Sequence, residues 1–352
     1  MAFTLGIEEE LLLVDRQTHA LSHSSHELLG AMGVHARWAR HDLYEAQVEL
    51  SSPICADAVE ATAEIARLRR AVLDAGGTPM GAGIHPAAAI GDVRITQQER
   101  YIKAAELLGG VVYRTPDCAL HVHVGMPDPD TAVRACNGLR EHLPPLHALG
   151  ANSAYWHGQD ARLASARFVL RRGFPRVEVP RAFVGFEDFE QAIAPMLAAA
   201  ELDDYTSLWW DVRPHPRLGT VEVRVMDAQS SLDSVAALAA LVHGLAIHEA
   251  QSDRREWLDR EPIEEAVFSA TSKGLAARLP DGYGRLRAVP DMAREAVELA
   301  RRYVPDAAPL EGIERILSEG GGADRQRAAH AEGGMEAVLL ALVQETAGLA
   351  GH

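Results

Sequence analysis

The stretch GIEEELLLVD, residues 6–15, sets three consecutive acids directly before an apolar run that lacks helical spacing. Read as a β-strand, it projects Glu8 and Glu10 to one face and apolar side chains to the other. Two carboxylates on one strand face, about 6–7 Å apart, can bind the same hard divalent cation. Glu9 has the opposite parity and is expected on the apolar side or near an edge. For this segment alone, an acidic face that is simply solvated remains the alternative.

A second strand with an acidic face is predicted over residues 45–50, EAQVEL. Strict alternation places Glu45 and Glu49 on one face. A helix would also bring these two residues together at i and i+4. The run ends at once in Ser-Ser-Pro, and such a short alternating segment favours a strand. Asp42 lies just upstream, within reach of the same site.

A histidine pair marks the next predicted strand, CALHVHV at residues 118–124, in which His121 and His123 share a face. Two histidines at i and i+2 of a strand can chelate zinc, as in metal-dependent amidohydrolases. Those enzymes are typically (β/α)₈ barrels with the pair on the first strand, and regular βα alternation is missing here. A zinc hydrolase and a purely structural role for His123 both stay open.

Residues 209–213 and 220–226 bracket a Pro/Gly-containing turn and predict a β-hairpin. In its second arm Glu222 and Arg224 share one face and the valines the other. Four predicted strands thus each combine an apolar face with a polar one. The collected polar set is Glu8, Glu10, Asp42, Glu45, Glu49, His121, His123, Glu222 and Arg224.

A sheet face this rich in carboxylates would repel itself without cations. Oxygen ligands with few nitrogens and no thiolates suit Mg²⁺ or Mn²⁺ better than Zn²⁺ or copper. Sites that share Mg²⁺ with nucleotide phosphates have this composition. Arg224 beside Glu222 is either half of a salt bridge or a guanidinium placed to hold a transferring phosphate.

The chain has 352 residues and a formal net charge of −16, from 34 basic and 50 acidic residues. Nucleic acids and anionic membranes attract clustered Lys and Arg, so neither is expected as a partner. The longest apolar run, near residues 235–242, is far shorter than the roughly 20 residues of a membrane span. Three scattered cysteines and an N-terminus without a signal peptide predict a cytoplasmic protein with free thiols.

The strands with polar faces are spread from residue 8 to residue 226, so a domain boundary between them would divide one site. We therefore expect a single catalytic domain over residues 1–352. Its sheet-forming part would cover about 1–230, and its helical C-terminal part about 231–352.

The region 152–176 carries five arginines among aromatic and small residues. At least half of them are expected on solvated surface. Arg162 and Arg167 differ because they flank a small-residue stretch where the backbone could approach a ligand. Three glycines at 320–322 precede Arg325; they either separate two helices or present a helix N-terminus and Arg325 to an anion.

Six segments follow one another between residues 3 and 230: FTLGIEEELLLVD, HDLYEAQVELSSP, GAGIHP, ALHVHVGMPD, GANSAYWHGQDARLASAR and WWDVRPHPRLGTVEVRVMD. A weaker one, GADRQR, lies near the C-terminus. Together they resemble the carboxylate–amine ligases of the type 2 glutamate–cysteine ligase family. The resemblance implies an α+β fold similar to the catalytic domain of glutamine synthetase, a curved, mainly antiparallel sheet with helices packed outside. It also implies ATP, Mg²⁺ (with Mn²⁺ possible) and a homodimer.

The resemblance assigns the metal ligands and Arg224 by position, and the other site residues named below are predicted alongside them. The metal ligands would be Glu8, Glu10, Asp42, Glu49, His121 and Glu222. The catalytic set is Arg224, Glu45 and Arg167, of which Arg224 falls where the family places a phosphate-contacting arginine. The nucleotide would be bound by Arg224, Arg213, Arg167 and His123. The substrate-binding set is Arg162, Asn152, Tyr155, Trp156 and Arg325.

The expected reaction is a two-step ligation of small-molecule carboxylate and amine substrates. A carboxylate attacks the γ-phosphate of ATP to give an acyl phosphate, and an amine then displaces phosphate to leave an amide. Glutamate and cysteine are the default pair by resemblance. Ala154, His157 and the stretch 270–273 depart from the family pattern, which leaves the substrates open. The alternatives are the zinc hydrolase and a non-catalytic protein that binds Mg-ATP without turnover.

Overall fold

The structure is a computed structural model that describes residues 3–202, 204–281 and 284–348. The strands of this described part are β1 Leu5–Leu13, β2 Ala39–His41, β3 Gln47–Ser51, β4 Pro79–Met80, β5 Ala119–Gly125, β6 Tyr155–Trp156, β7 Gln159–Asp160, β8 Val212–His215, β9 Thr220–Asp227, β10 Arg278–Pro280 and β11 Leu286–Ala288. The helices are α1 Ser25–Ala31, α2 Ala58–Asp74, α3 Glu99–Leu108, α4 Pro129–Gly150, α5 Ala166–Arg171, α6 Phe186–Ala199, α7 Leu232–Gln251, α8 Arg260–Lys273, α9 Val289–Ala300, α10 Glu311–Glu319 and α11 Gly322–Thr346.

The main sheet is antiparallel and open, with the strand order β2-β3-β1-β5-β9-β8 and β4 paired to the end of β1. Strand β1 lies between β3 and β5. Its register opposes Glu10 to Glu49 of β3 and Glu8 to His121 of β5. Because the four strands that carry the polar residues are consecutive neighbours, their polar side chains converge.

The two faces of the sheet differ in polarity as the alternation predicts. Ile7, Leu50 and Val223 come from three strands and are buried in one apolar cluster. Helices α2, α4 and α7 pack on this face. Burial of this apolar layer supplies the main driving force for folding and fixes the register, since a slip by one residue would exchange the faces.

The helix α7 is long and apolar enough to span a membrane by length and composition alone. Of its apolar window, 78% is buried inside the protein, where it packs against α2, α4 and α9. A core helix of a globular protein has these properties, so the helix is weak evidence for a membrane span.

The predicted elements are largely present. The hairpin is formed by β8 and β9, which pair from His215 and Thr220 outward. The C-terminal part is mostly helical, with the additional small sheet β10–β11. Two strand boundaries were wrong. β8 covers Val212–His215 rather than 209–213, and β3 begins at Gln47, so that Glu45 lies in the turn before it. The single domain over residues 1–352 stays a prediction.

Glu9 shows how the parity of β1 ties the layers together. Its side chain points to the helical face and pairs with Arg69 of α2, with exposed fractions of 0% and 2%. Arg69 also donates hydrogen bonds of 2.6 Å to the carbonyls of Gln229 and Ser230, just before α7. A buried charge is tolerated only when it is paired and hydrogen-bonded, and this pair meets that condition.

Replacement of Arg69 by methionine should therefore leave the buried carboxylate of Glu9 without a charged partner. We expect Arg69→Met to lower the free energy of unfolding by about 3–5 kcal/mol, measured by urea denaturation. The control is Arg294→Met, which breaks the exposed pair with Glu314 and should leave the stability nearly unchanged. Equal effects of the two substitutions would contradict the role given to the buried pair.

Candidate active site

Three side chains from three adjacent strands meet on the polar face of the sheet. One potential ligand atom from each of Glu8, His121 and Glu222 lies within 4.8 Å of the other two. His121 Nδ1 is 3.7 Å from Glu8 Oε2 and 3.9 Å from Glu222 Oε1. His123 extends the group, with Nε2 at 3.5 Å from Glu8 and 3.8 Å from Glu222. We call these four residues the acidic cluster.

The ionisation of the acidic cluster favours cation binding. Burial and the neighbouring charge of Arg224 lower the pKa of His121 to about 3, so its imidazole is neutral at pH 7. Burial opposes ionisation of Glu222, but Arg213 and Arg224 hold the pKa of its carboxyl well below the usual range. Within the described chain, His121 Nε2 is buried without a hydrogen-bond partner. A neutral imidazole with a free nitrogen beside two carboxylates is a suitable set of metal ligands.

Arginines supply positive charge on the same face. Arg213 of β8 donates from Nε to Glu222 Oε2 at 2.6 Å, and Arg224 of β9 pairs with the other oxygen of Glu222. In the β5–β9 register, Arg224 and Val225 oppose the single residue His121, so β9 carries a bulge there. Bulges often re-aim side chains beside active sites.

A cavity of about 620 Å³ adjoins the acidic cluster. Glu10, Asp42 and Arg224 line it, together with residues of α3 and of the segments 200–202 and 204–209. His121 Nε2 is 3.8 Å from Glu10 Oε1, which connects the cavity to the cluster. The volume is typical of small-molecule sites.

Like charges crowd the end of the cavity next to the cluster. Burial, with the charge of Asp42, raises the pKa of Glu10 well above its usual range, and burial with the charge of Glu8 raises that of Glu49 to about 7. Burial also raises the pKa of Asp42. These carboxyls resist ionisation together, which a bound cation would relieve.

Arg40 is a residue that the sequence reasoning missed. It lies on the edge strand β2 and donates to Glu8 Oε1 and Glu49 Oε1, both at 2.8 Å. The register of β2 and β3 places Arg40 opposite Glu49. The alternation of side chains along β2 is the sequence pattern that could have identified Arg40. The positive charge of its guanidinium compensates the negative charges of Glu8 and Glu49, which are two of the predicted metal ligands.

Asp117 and Arg171 were also missed, although both line the cavity. Arg171 Nη1 is 2.6 Å from Asp117 Oδ2. Both residues lie outside the alternating strands, so periodicity gave no signal for them. Arg167, which was predicted, lies behind this pair, 3.9 Å from Asp117 and 3.4 Å from Asp227, and is 1% exposed.

The predicted substrate-binding residues are not brought to this cavity. The Asn152 amide is fully buried and bonded to Gly81, Ala228 and Gln326, so in this conformation it has no free group for a substrate. Arg162 is exposed and its backbone bonds Asp160.

The aromatic pair Tyr155 and Trp156 lies in the small β6–β7 sheet, where Tyr155 stacks on His330. Arg325 lines a different cavity of about 240 Å³ and lies 3.5 Å from Glu345. Glu45 is not among the residues that line the cavity at the acidic cluster, and its charge acts on His23 and His41. Roles for these residues in the reaction stay predictions.

Comparison with known proteins agrees with this architecture. The profile of glutamate-cysteine ligase family 2 matches residues 4–341. A protein of Rubrobacter xylanophilus that is named as a glutamate–cysteine ligase is 37% identical to this chain, over 98% of this chain and 97% of its own length. The glutamate–cysteine ligase of Haloferax volcanii is 32% identical, over 95% of this chain and 94% of its own.

Solved structures show the same fold at low sequence identity. The glutamate–cysteine ligase of Francisella tularensis in complex with AMP has a TM-score of 0.76 at 14% identity, over 100% of this chain and 90% of that chain. A bifunctional glutathione synthetase of Pasteurella multocida has a TM-score of 0.71 at 15% identity, over 99% of this chain and 52% of that chain.

The family and the fold are those of an ATP-dependent ligase that forms carbon–nitrogen bonds. The predicted glutamine-synthetase-like α+β fold and the predicted ligase class are therefore confirmed. The chain belongs to glutamate–cysteine ligase family 2. Neither the zinc-hydrolase reading of the histidine pair nor a non-catalytic protein is supported by these findings.

The raised pKa of Glu49 predicts a pH dependence of stability in protein kept in a metal chelator. A folded-state pKa of about 7 against the ordinary 4.5 stabilises the fold fully below pH 4.5, and this contribution is lost as the pH rises through 7. Between pH 5 and 8, wild type should therefore lose up to about 3 kcal/mol of unfolding free energy relative to Glu49→Gln. Urea denaturation at several pH values measures this.

The matched control for that experiment is Glu298→Gln, which changes an exposed carboxylate paired loosely with Arg301. Its pH profile should follow the wild-type profile. If the pH profile of Glu49→Gln also follows the wild-type profile, the pKa of Glu49 is not raised. The inferred repulsion among the carboxyls at this end of the cavity would then be wrong.

Proposed function

We propose that the protein joins a donor carboxylate to an amine through an acyl phosphate formed from ATP. The donor is glutamate and the acceptor is cysteine or another amine, so the product is a γ-glutamyl amide. The observation that carries the proposal is the acidic cluster, which adjoins at Glu10 a cavity that is also lined by Arg224. The Haloferax volcanii relative is named as a glutamate–cysteine ligase, which supports this choice of substrates.

Mg²⁺, or Mn²⁺ in its place, is the proposed cofactor, and the chain's own residues fit it. Glu8, His121 and Glu222 would hold one ion, and Glu10, Asp42 and Glu49 would hold further ions. The carboxylate-rich donor set with one imidazole, and the unpartnered His121 Nε2, are the observations that support this. When bound, such an ion neutralises phosphate charge and thereby lowers the repulsion between two anions.

In the first step, an oxygen of the donor carboxylate attacks the γ-phosphorus of ATP, and the bond to the β-γ bridging oxygen breaks to release ADP. Arg224 faces the cavity and would neutralise charge that develops on the phosphoryl oxygens. Arg213, fixed by Glu222 and by the carbonyls of Thr206 and Leu208, would support Arg224 by keeping Glu222 in place.

In the second step, the amine attacks the acyl carbon, the bond from that carbon to the phosphate oxygen breaks, and the amine loses a proton. The predicted catalytic role of Glu45 is not tied to this step, because Glu45 does not line the cavity at the acidic cluster. A cytoplasmic homodimer completes the proposal and rests on the family resemblance and on the scattered free cysteines, which are buried.

The test is phosphate release from Mg-ATP by purified protein, with glutamate offered against a panel of amines that includes cysteine. We expect release that requires both glutamate and one amine, with ADP rather than AMP as the nucleotide product. With glutamate labelled with ¹⁸O in its side-chain carboxylate, one label should appear in the released phosphate. AMP with pyrophosphate as products would contradict the acyl phosphate.

The acidic cluster should be essential for this reaction. Since loss of even an outer-shell partner of a metal costs about 10–100-fold, we expect Glu8→Gln to lower turnover by more than about 100-fold. Glu298→Gln, at an exposed carboxylate, should retain wild-type turnover. Normal turnover by Glu8→Gln, with circular dichroism showing both variants folded, would remove the cluster from the mechanism.

A further inference from the structure

The ion pair of Asp117 and Arg171 lines the cavity but takes no part in the chemistry derived above. The side chains are only 9% and 14% exposed. An ion pair held this far from water gains little stability over apolar side chains of similar size. The pair is therefore better explained by a ligand that needs both charges than by stability alone.

Each member of the pair has binding capacity left. Arg171 has five N–H donors, and the side-chain hydrogen bond found for it in the described chain goes from Nη1 to Asp117 Oδ2. Its other nitrogens are not fully buried without a partner, so a ligand in the cavity can reach them. The side-chain contacts of Asp117 with arginines are through Oδ2, which leaves Oδ1 for another donor.

The two members of the pair differ in the ligand group that each can bind. Asp117 lines the cavity with a carboxylate and Arg171 with a guanidinium. A ligand ammonium group is therefore favoured at Asp117, and a ligand carboxylate is favoured at Arg171. An α-amino acid carries these two groups on one carbon.

The chemistry of the reaction indicates which substrate this is. The acceptor nitrogen must lose its proton to attack the acyl carbon, and a fixed carboxylate beside it would stabilise the protonated, unreactive form. The α-ammonium group of the donor takes no part in the reaction, so a carboxylate beside it carries no such penalty. The pair therefore suits the donor.

We propose that Arg171 and Asp117 bind the α-carboxylate and the α-ammonium group of the donor amino acid. The donor's distal carboxylate is then left for the acidic cluster, which adjoins the cavity at Glu10. This inference rests on the proposed function, and it makes the two residues determinants of specificity for an α-amino dicarboxylic acid.

The test compares the KM for glutamate with the inhibition constants, against glutamate, of two analogues. 4-Aminobutyrate lacks the α-carboxylate and glutarate lacks the α-ammonium group. Loss of a charge-assisted hydrogen bond should raise the glutamate KM about 100-fold in Arg171→Gln and in Asp117→Asn. The constant for 4-aminobutyrate should stay within about threefold in Arg171→Gln, and that for glutarate in Asp117→Asn.

Arg176→Gln is the matched control, because Arg176 lines the same cavity but contacts Trp209 and the carbonyl of Ser207 instead of an acid. Its glutamate KM should change less than about threefold. Arg171→Lys keeps the positive charge, so its glutamate KM should lie between those of wild type and Arg171→Gln. This intermediate value would show that the effect of Arg171→Gln is not caused by misfolding.

The outcomes separate the two proposals. If wild type shows no glutamate-dependent turnover with any amine, the proposed function fails. If wild type is active but the analogue constants rise in parallel with the glutamate KM, or that KM is unchanged, only the role of Asp117 and Arg171 is overturned.

Discussion

The central constraint in this protein is electrostatic compensation on one face of an antiparallel sheet. Glu8, Glu10, Glu49 and Glu222 come from three strands that the apolar core holds side by side. Their mutual repulsion is offset by arginines from the flanking strands and the cavity wall. The compensation is incomplete, because the pKa values of two of these carboxyls, Glu10 and Glu49, are raised. An enzyme that brings anionic phosphate to such a face needs additional cations.

The same constraint explains why the fold is built with two unlike faces. The helices α2, α4 and α7 bury the apolar side of the strands and thereby fix their register. Where β1 must place an acid on that side, at Glu9, a buried arginine from α2 neutralises it. Position in the sheet thus decides the surroundings of each acid: Glu9 lies in a buried ion pair, and its neighbours Glu8 and Glu10 lie on the polar face.

Much of the site could be predicted from the sequence, because strand alternation reports which residues share a face. Glu8, His121 and Glu222 were found in this way and do converge. Alternation fails in turns, which is why Glu45 was placed on a strand that begins two residues later. Arg171 ends a short helix, and its contact with the cavity depends on tertiary packing that no local pattern encodes.

The most direct test of the account is the position of bound metal. A crystal grown with Mn²⁺ and a non-hydrolysable ATP analogue, measured at the manganese absorption edge, would locate the ions by anomalous scattering. We predict a peak bounded by Glu8, His121 and Glu222, with the terminal phosphate of the analogue on its cavity side. Ions bound elsewhere, with none on the polar face of the sheet, would contradict it.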